Sequence, residues 1–124
     1  MSFEDLKELT LEWADDKDLL HSKNTDKQFM KFIEEVFEFK TEFDVWKLYK
    51  KFKHAENIEQ DFSIEEVERW KNLKLEMGDV FVTLIILCKQ LGIDPVECLS
   101  MAYEKISNRK GKTADGIFVK EEDL

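Results

Sequence analysis

Glycine and proline are scarce in this chain, at four and one in 124 residues. An all-β fold needs more of both for its turns, so the sequence reads as helical. Cysteine is almost as rare. Cys88 and Cys98 have no metal-ligand spacing and read as apolar positions of a reduced, intracellular protein. No apolar run approaches the roughly 20 residues that a bilayer span requires. The longest, residues 80–88, is broken only by Thr83. The opening MSFEDLKEL lacks the basic-then-apolar order of a signal peptide, so the expectation is a cytoplasmic protein without a membrane partner. Positive charge is short as well: 19 Lys and Arg against 28 Asp and Glu leave a net −9. That excludes a nonspecific nucleic-acid polymer as the expected partner, because phosphate neutralisation needs a basic footprint. A small phosphorylated ligand stays open, since a bound divalent cation reverses the local sign.

What is present suits a single domain over residues 1–124. An apolar fraction of 43% with 38% charged residues fits helices that have solvated faces. The expected fold is all-α, a four- to five-helix bundle with a short C-terminal extension over 110–124. Ser2 can cap a first helix over 3–15, whose apolar stripe is Phe3, Leu6, Leu9 and Trp13. Residues 15–24 read as a polar connection, and Asp18-x-x-His21 within it as a solvated pair rather than half a metal motif. Thr25-x-x-Gln28 has capping-box spacing and opens a second helix. On that helix Phe29, Ile33, Val36, Phe37 and Phe43 share one arc with the stem of Lys40, taken as the buried face; Glu34, Glu35 and Glu38 share another with Lys27 and Lys31.

Residues 41–62 either extend the second helix or form a separate one, with a turn expected near 57–61. Ser63-x-x-Glu66 is a second capping box, opening a third helix to Leu91 that is apolar nearly all round beyond Asp79. Gly78 interrupts it, as if another backbone or a ligand came close, and Gly92 ends it. Asp94-Pro95-Val96-Glu97 starts a fourth helix, with Val96, Leu99, Tyr103 and Ile106 expected inward. The tail has an Asp-Gly turn signal and reads as a loose extension on the body.

The chemistry lies in the acids. Glu35-x-x-Glu38 alone reads as a solvated face. Glu76-x-x-Asp79 is more telling, because it enters the most apolar helix, where an ionised carboxylate is costly without a positive partner. Four or five carboxylates converging from two helices would form a hard, oxygen-rich metal cage. A di-iron bundle is disfavoured, since neither His21 nor His54 stands in a Glu-x-x-His pair.

With EExxE on one helix and ExxD on the next, the chain resembles the MazG-like all-α nucleoside triphosphate pyrophosphohydrolases, of the short phage and Gram-positive type. KQFMKFIEEVFEF looks like the family's first metal helix, LEMGDVFVTLIILCKQLGID like its second, and AYEKISNRKGK like the helix that follows. The tail GIFVKEEDL fits as well, so the likeness covers about two thirds of the chain. Two departures stand out. The stretch between Glu38 and Glu76 is longer than usual, which suggests an insertion over 41–62, and Phe37 stands where many members have Gly.

The resemblance implies Mg²⁺, with Mn²⁺ as a substitute, held by Glu35, Glu38, Glu76 and Asp79. It implies Glu34 or Glu38 as the proton acceptor for an attacking water. Attack at the α-phosphorus would release a nucleoside monophosphate and pyrophosphate. Lys31, Lys105, Asn108, Arg109 and Lys112 would bind the substrate phosphates. Trp13, Tyr103, Trp46 and Trp70 are candidates to stack on the base, although aromatics at helical spacing are more often core. A homodimer or homotetramer is implied too, and the excess of apolar helix face favours self-association independently. The alternative is a catalytically inactive helical binding or regulatory protein on the same scaffold.

Overall fold

The computed structural model describes residues 1–55 and 64–124, which fall into two units, Met1–Gly92 and Ile93–Leu124. The first unit holds α1 (Phe3–Asp16), a 3-10 turn (Ser22–Asn24), α2 (Thr25–Ala55) and α3 (Ile64–Leu91). Among the described residues, no helix is long and apolar enough to cross a membrane.

α1 starts at a complete capping box. The Asp5 amide donates to Ser2 Oγ at 3.1 Å, and the Ser2 amide returns a bond to Asp5 Oδ2 at 3.0 Å. After α1 the chain reverses through Asp18, at a φ of 59°, with His21 Nε2 2.5 Å from Asp18 Oδ1 on the exposed surface. The Thr25/Gln28 spacing works differently from the expected capping box. Thr25 Oγ1 donates to the Ser22 carbonyl at 2.6 Å, and Gln28 Nε2 reaches across to the Thr83 carbonyl at 3.1 Å. α2 then runs unbroken through the stretch read as an insertion, as far as Ala55. The Ser63 cap and the turn near 57–61 lie outside the described residues.

α2 and α3 are antiparallel: Gln28 meets Thr83, Trp46 meets Trp70, and Lys50 meets Glu66. Each presents a seam with alternating steps of three and four, the spacing of knobs-into-holes packing. The seam positions, each buried or half-buried, are Gln28, Phe32, Glu35, Phe39, Glu42, Trp46, Tyr49 and Lys53 on α2, and Glu66, Arg69, Leu73, Glu76, Val80, Thr83, Leu87 and Gln90 on α3, where Ile85, Ile86 and Cys88 are buried as well.

This corrects the expected facing of α2. Its Phe29, Ile33, Val36, Phe37 and Phe43 stripe is 38–67% exposed, whereas Glu35 is buried. α1 behaves likewise. Lys7 and Ala14 are buried, while Leu6, Leu9 and Trp13 stand about half exposed. Lys7 is held by the flanking Glu4 and Glu8, and Phe3 meets Phe81 of α3 edge-on with ring centroids 6.1 Å apart. The apolar core is correspondingly small: Ala14, Leu73, Ile85, Ile86, Leu87 and Cys88. Four of these six, Ile85 to Cys88, sit on the distal half of α3, the helix expected to be most buried.

In the second unit, α4 (Pro95–Ser107) follows Gly92, whose φ of 75° suits a helix C-terminus. The Asp94 carbonyl accepts from the Cys98 amide at 3.0 Å. Leu99, Tyr103 and Ile106, expected inward, are 53–70% exposed. The tail, read as a loose extension, is an antiparallel hairpin added to the otherwise helical chain. β1 (Gly111–Ala114) pairs with β2 (Ile117–Lys120), Gly111 opposite Lys120 and Ala114 opposite Ile117. Asp115 and Gly116, at φ of 52° and 76°, make the two-residue turn, with both central residues left-handed as a type I′ turn requires.

Candidate metal centre

The α2 and α3 seams place acids where packing would ordinarily select apolar residues. Glu35, Glu38 and Glu76 each offer a carboxylate oxygen, and these oxygens lie within 4.8 Å of one another. Glu35 is buried, Glu76 half-buried, and Glu38 exposed at the mouth. The cleft beside them, about 440 Å³, is lined by Glu34, Phe37, Glu38, Thr41, Glu42 and Glu76.

Only part of this charge is compensated. Lys31 Nζ lies 3.1 Å from Glu35 Oε1 and 3.7 Å from Glu34 Oε2. The bond to Glu35 is the main reason that the Lys31 ammonium is held above its ordinary range. The other oxygens, Glu35 Oε2 and Glu76 Oε2, are buried without a hydrogen-bond partner among the described residues. A buried acceptor in that condition costs about 1–3 kcal/mol, and more when charged.

The acids respond as crowded carboxylates do. Glu38 is pushed up, first by its hydrogen bond to Glu35 and then by the charges of Glu35, Glu34 and Glu76. Glu76 is pushed up first by burial, then by Asp79, Glu35 and Glu42. Two carboxyls that resist ionisation beside two orphaned oxygens make an arrangement that a divalent cation would relieve.

Of the proposed ligands, Glu35, Glu38 and Glu76 converge. Asp79 is exposed, outside this trio, and acts on Glu76 through its charge. Glu34 lines the cleft. Glu42 is the acid that the sequence reading missed. It stands one helical turn beyond Glu38, so the series 35, 38, 42 already marked a single face. A Cβ at Gly78 would meet nothing within 4 Å, so none of the described residues brings backbone close to it.

In the second unit, Lys105, Asn108 and Arg109 line a cavity of about 560 Å³ together with Lys110, Lys120, Glu121 and Glu122. Three of the proposed phosphate ligands are therefore together. Lys112 is on β1 opposite Val119 and is not among the lining residues; Lys110 and Lys120 bring the charge instead. Asn108 Nδ2 donates to the Glu104 carbonyl at 3.1 Å, which fixes it as a helix-end residue. The exposed rings of Trp13 and Tyr103 lie on α1 and α4, in separate units. No protein family, curated protein or solved structure matches the chain. Any functional reading therefore rests on its own residues.

Proposed function

We propose that this chain is a Mg²⁺-dependent nucleoside triphosphate pyrophosphohydrolase with a MazG-like helical scaffold, acting in nucleotide-pool housecleaning in the cytoplasm. The observation that carries the reading is the pair of buried, partnerless oxygens on Glu35 and Glu76, in an all-carboxylate cluster that opens into a cleft. That donor set is hard and anionic, which suits Mg²⁺, with Mn²⁺ as a substitute. Glu35, Glu38 and Glu76 would hold the ion, with Asp79 and Glu42 close enough to add charge. Bound there, Mg²⁺ would neutralise a triphosphate and acidify a water.

The chain's own groups would do the rest. Glu38, exposed in the cleft, is suited once ionised to accept the proton of a water attacking the α-phosphorus. Glu34, held near Lys31, is the second candidate. Within the second unit, Lys105 and Arg109 line a cavity of their own that suits phosphate oxygens, Arg109 through its planar fork.

Assembly belongs to the same reading. The exposed stripes of α1 and α2 leave more apolar surface than a small monomer carries, which supports a homodimer or homotetramer.

The test is pyrophosphate release from a panel of ordinary and damaged nucleoside and deoxynucleoside triphosphates with Mg²⁺. Glu38→Gln should reduce release at least about a hundredfold. No release from any substrate, or undiminished release by the variant, would remove the enzyme. Mg²⁺ binding without turnover would leave the inactive binding protein.

A further inference from the structure

A second opening, about 430 Å³, lies between α2 and α3 further along the helix pair. Its floor is two indoles: Trp46 and Trp70, ring centroids 5.1 Å apart and tilted by 48°. Trp70 is 48% exposed, a large ring left half in water beside its packed neighbour. Lys50, Lys71 and Lys74 stand around this floor. Lys50 Nζ lies 5.5 Å from the Trp46 ring centroid and also donates to Glu66 at 2.8 Å. Glu66 lines the same opening and takes up Lys50, so the positive excess there, unusual in a chain of net charge −9, comes from Lys71 and Lys74.

We propose that this groove seats the planar base of a nucleotide, stacked on Trp70 and drawn in by the lysine rim. Indole faces stack with any base, and the volume falls in the range of small-ligand pockets. A neutral flat ligand would have no use for the lysines. An acidic peptide would have no use for an open indole face.

The placement along the helices also fits. At about 1.5 Å of rise per residue, Trp70 precedes Glu76 by roughly 9 Å and Trp46 follows Glu38 by roughly 12 Å. Lys74 stands one turn from Trp70 on the way to Glu76. A base in the groove would thus lie close enough for its phosphates to reach along the seam toward the carboxylates. The inference takes the identity of that anionic tail from the hydrolase reading.

Calorimetric titration in EDTA separates the two, because no turnover is required. The probes are AMP, GMP, CMP and UMP, with ribose 5-phosphate and inorganic phosphate as controls. The four nucleotides should bind saturably and at least tenfold tighter than ribose 5-phosphate. Trp70→Ala should weaken them about tenfold, the factor that 1.4 kcal/mol represents. The double variant Lys71→Glu/Lys74→Glu, at two exposed positions, should do the same with the indoles intact. Nucleotides no tighter than ribose 5-phosphate, or binding unchanged in the lysine variant, would overturn the proposal. So would a change of oligomeric state in either variant with nucleotide binding intact, which would make the groove a protein interface. Nucleotide binding without any triphosphate hydrolysis would remove the enzyme and keep the groove.

Discussion

Lys31 satisfies one oxygen of Glu35, at 3.1 Å, and leaves the other buried and unmatched. A single lysine one turn upstream thus offsets one charge of a site in which three carboxylates meet. Divalent cation should stabilise the fold: saturating Mg²⁺, about a hundred times its Kd, adds about 2.7 kcal/mol to unfolding. Glu76→Gln should raise the melting temperature in EDTA, by removing a buried charge, and lose most of the Mg²⁺-induced rise. Calorimetry with and without Mg²⁺ reads both effects, and an unchanged Mg²⁺ response in Glu76→Gln would argue against this ligand.

The same acids fix a pH dependence. The folded-state pKa values of Glu38 and Glu76 are raised, so the native state holds more protons than the unfolded chain above the ordinary carboxyl range near 4.5. Stability of the ion-free protein should therefore fall as pH rises from about 4.5 through those raised values. Mg²⁺ should flatten the slope. Urea unfolding across pH 4–8 in EDTA and in Mg²⁺ checks the sign.

Glu66 should show the opposite behaviour. Lys50 first, then Lys53, holds its carboxyl below the ordinary value, at 2.8 and 3.3 Å. This contribution is complete above about pH 4.5 and is lost as pH falls through the depressed value. Glu66→Gln should destabilise the protein at neutral pH, and the difference from wild type should narrow under acid.

The exposed arc of α2 can be tested by charge. Ile33→Lys and Val36→Glu alter positions that are 42% and 41% exposed, so the monomer should tolerate both. If that stripe is an assembly face, sedimentation should show the wild type associated and the variants dissociated. A wild-type monomer across the micromolar range would contradict it.

Gly111 has no room for a side chain. A Cβ there would lie 2.1 Å from the Val119 carbonyl oxygen and 2.7 Å from Phe118 Cζ. Gly111→Ala should break the pairing of β1 with β2, seen as lost hydrogen-exchange protection over 111–120. Inorganic pyrophosphate binding at the Lys105–Lys120 cavity should weaken with it.

The helices were legible in the sequence because their ends are chemically marked. Ser2 with Asp5 and Gly92 act where the pattern puts them, and Asp94-Pro95 marks the start of α4 although the Asp94 side chain makes no capping hydrogen bond. The acids of α2 and α3 were legible as a pair for a different reason: Glu76 entered an apolar context without a visible counter-charge. Which side of α2 meets α3 was not legible. Periodicity says which residues share a face, not which face is buried, and on α2 the most apolar arc is not the buried one. The seam instead interleaves Phe32, Phe39 and Trp46 with Glu35 and Glu42, which averages to an indifferent face. The hairpin was underread, since Asp115-Gly116 between two short strands is itself a hairpin signal.

The unbroken three-and-four spacing of α2, from Gln28 to Lys53, has a consequence for how this protein can vary. One residue added or removed within it would turn everything downstream by about 100°. Glu42, the tryptophan groove and the Glu66 clasp would all rotate out of alignment together. The two helices act as a shared ruler, on which side chains can be exchanged one at a time but length cannot be adjusted locally.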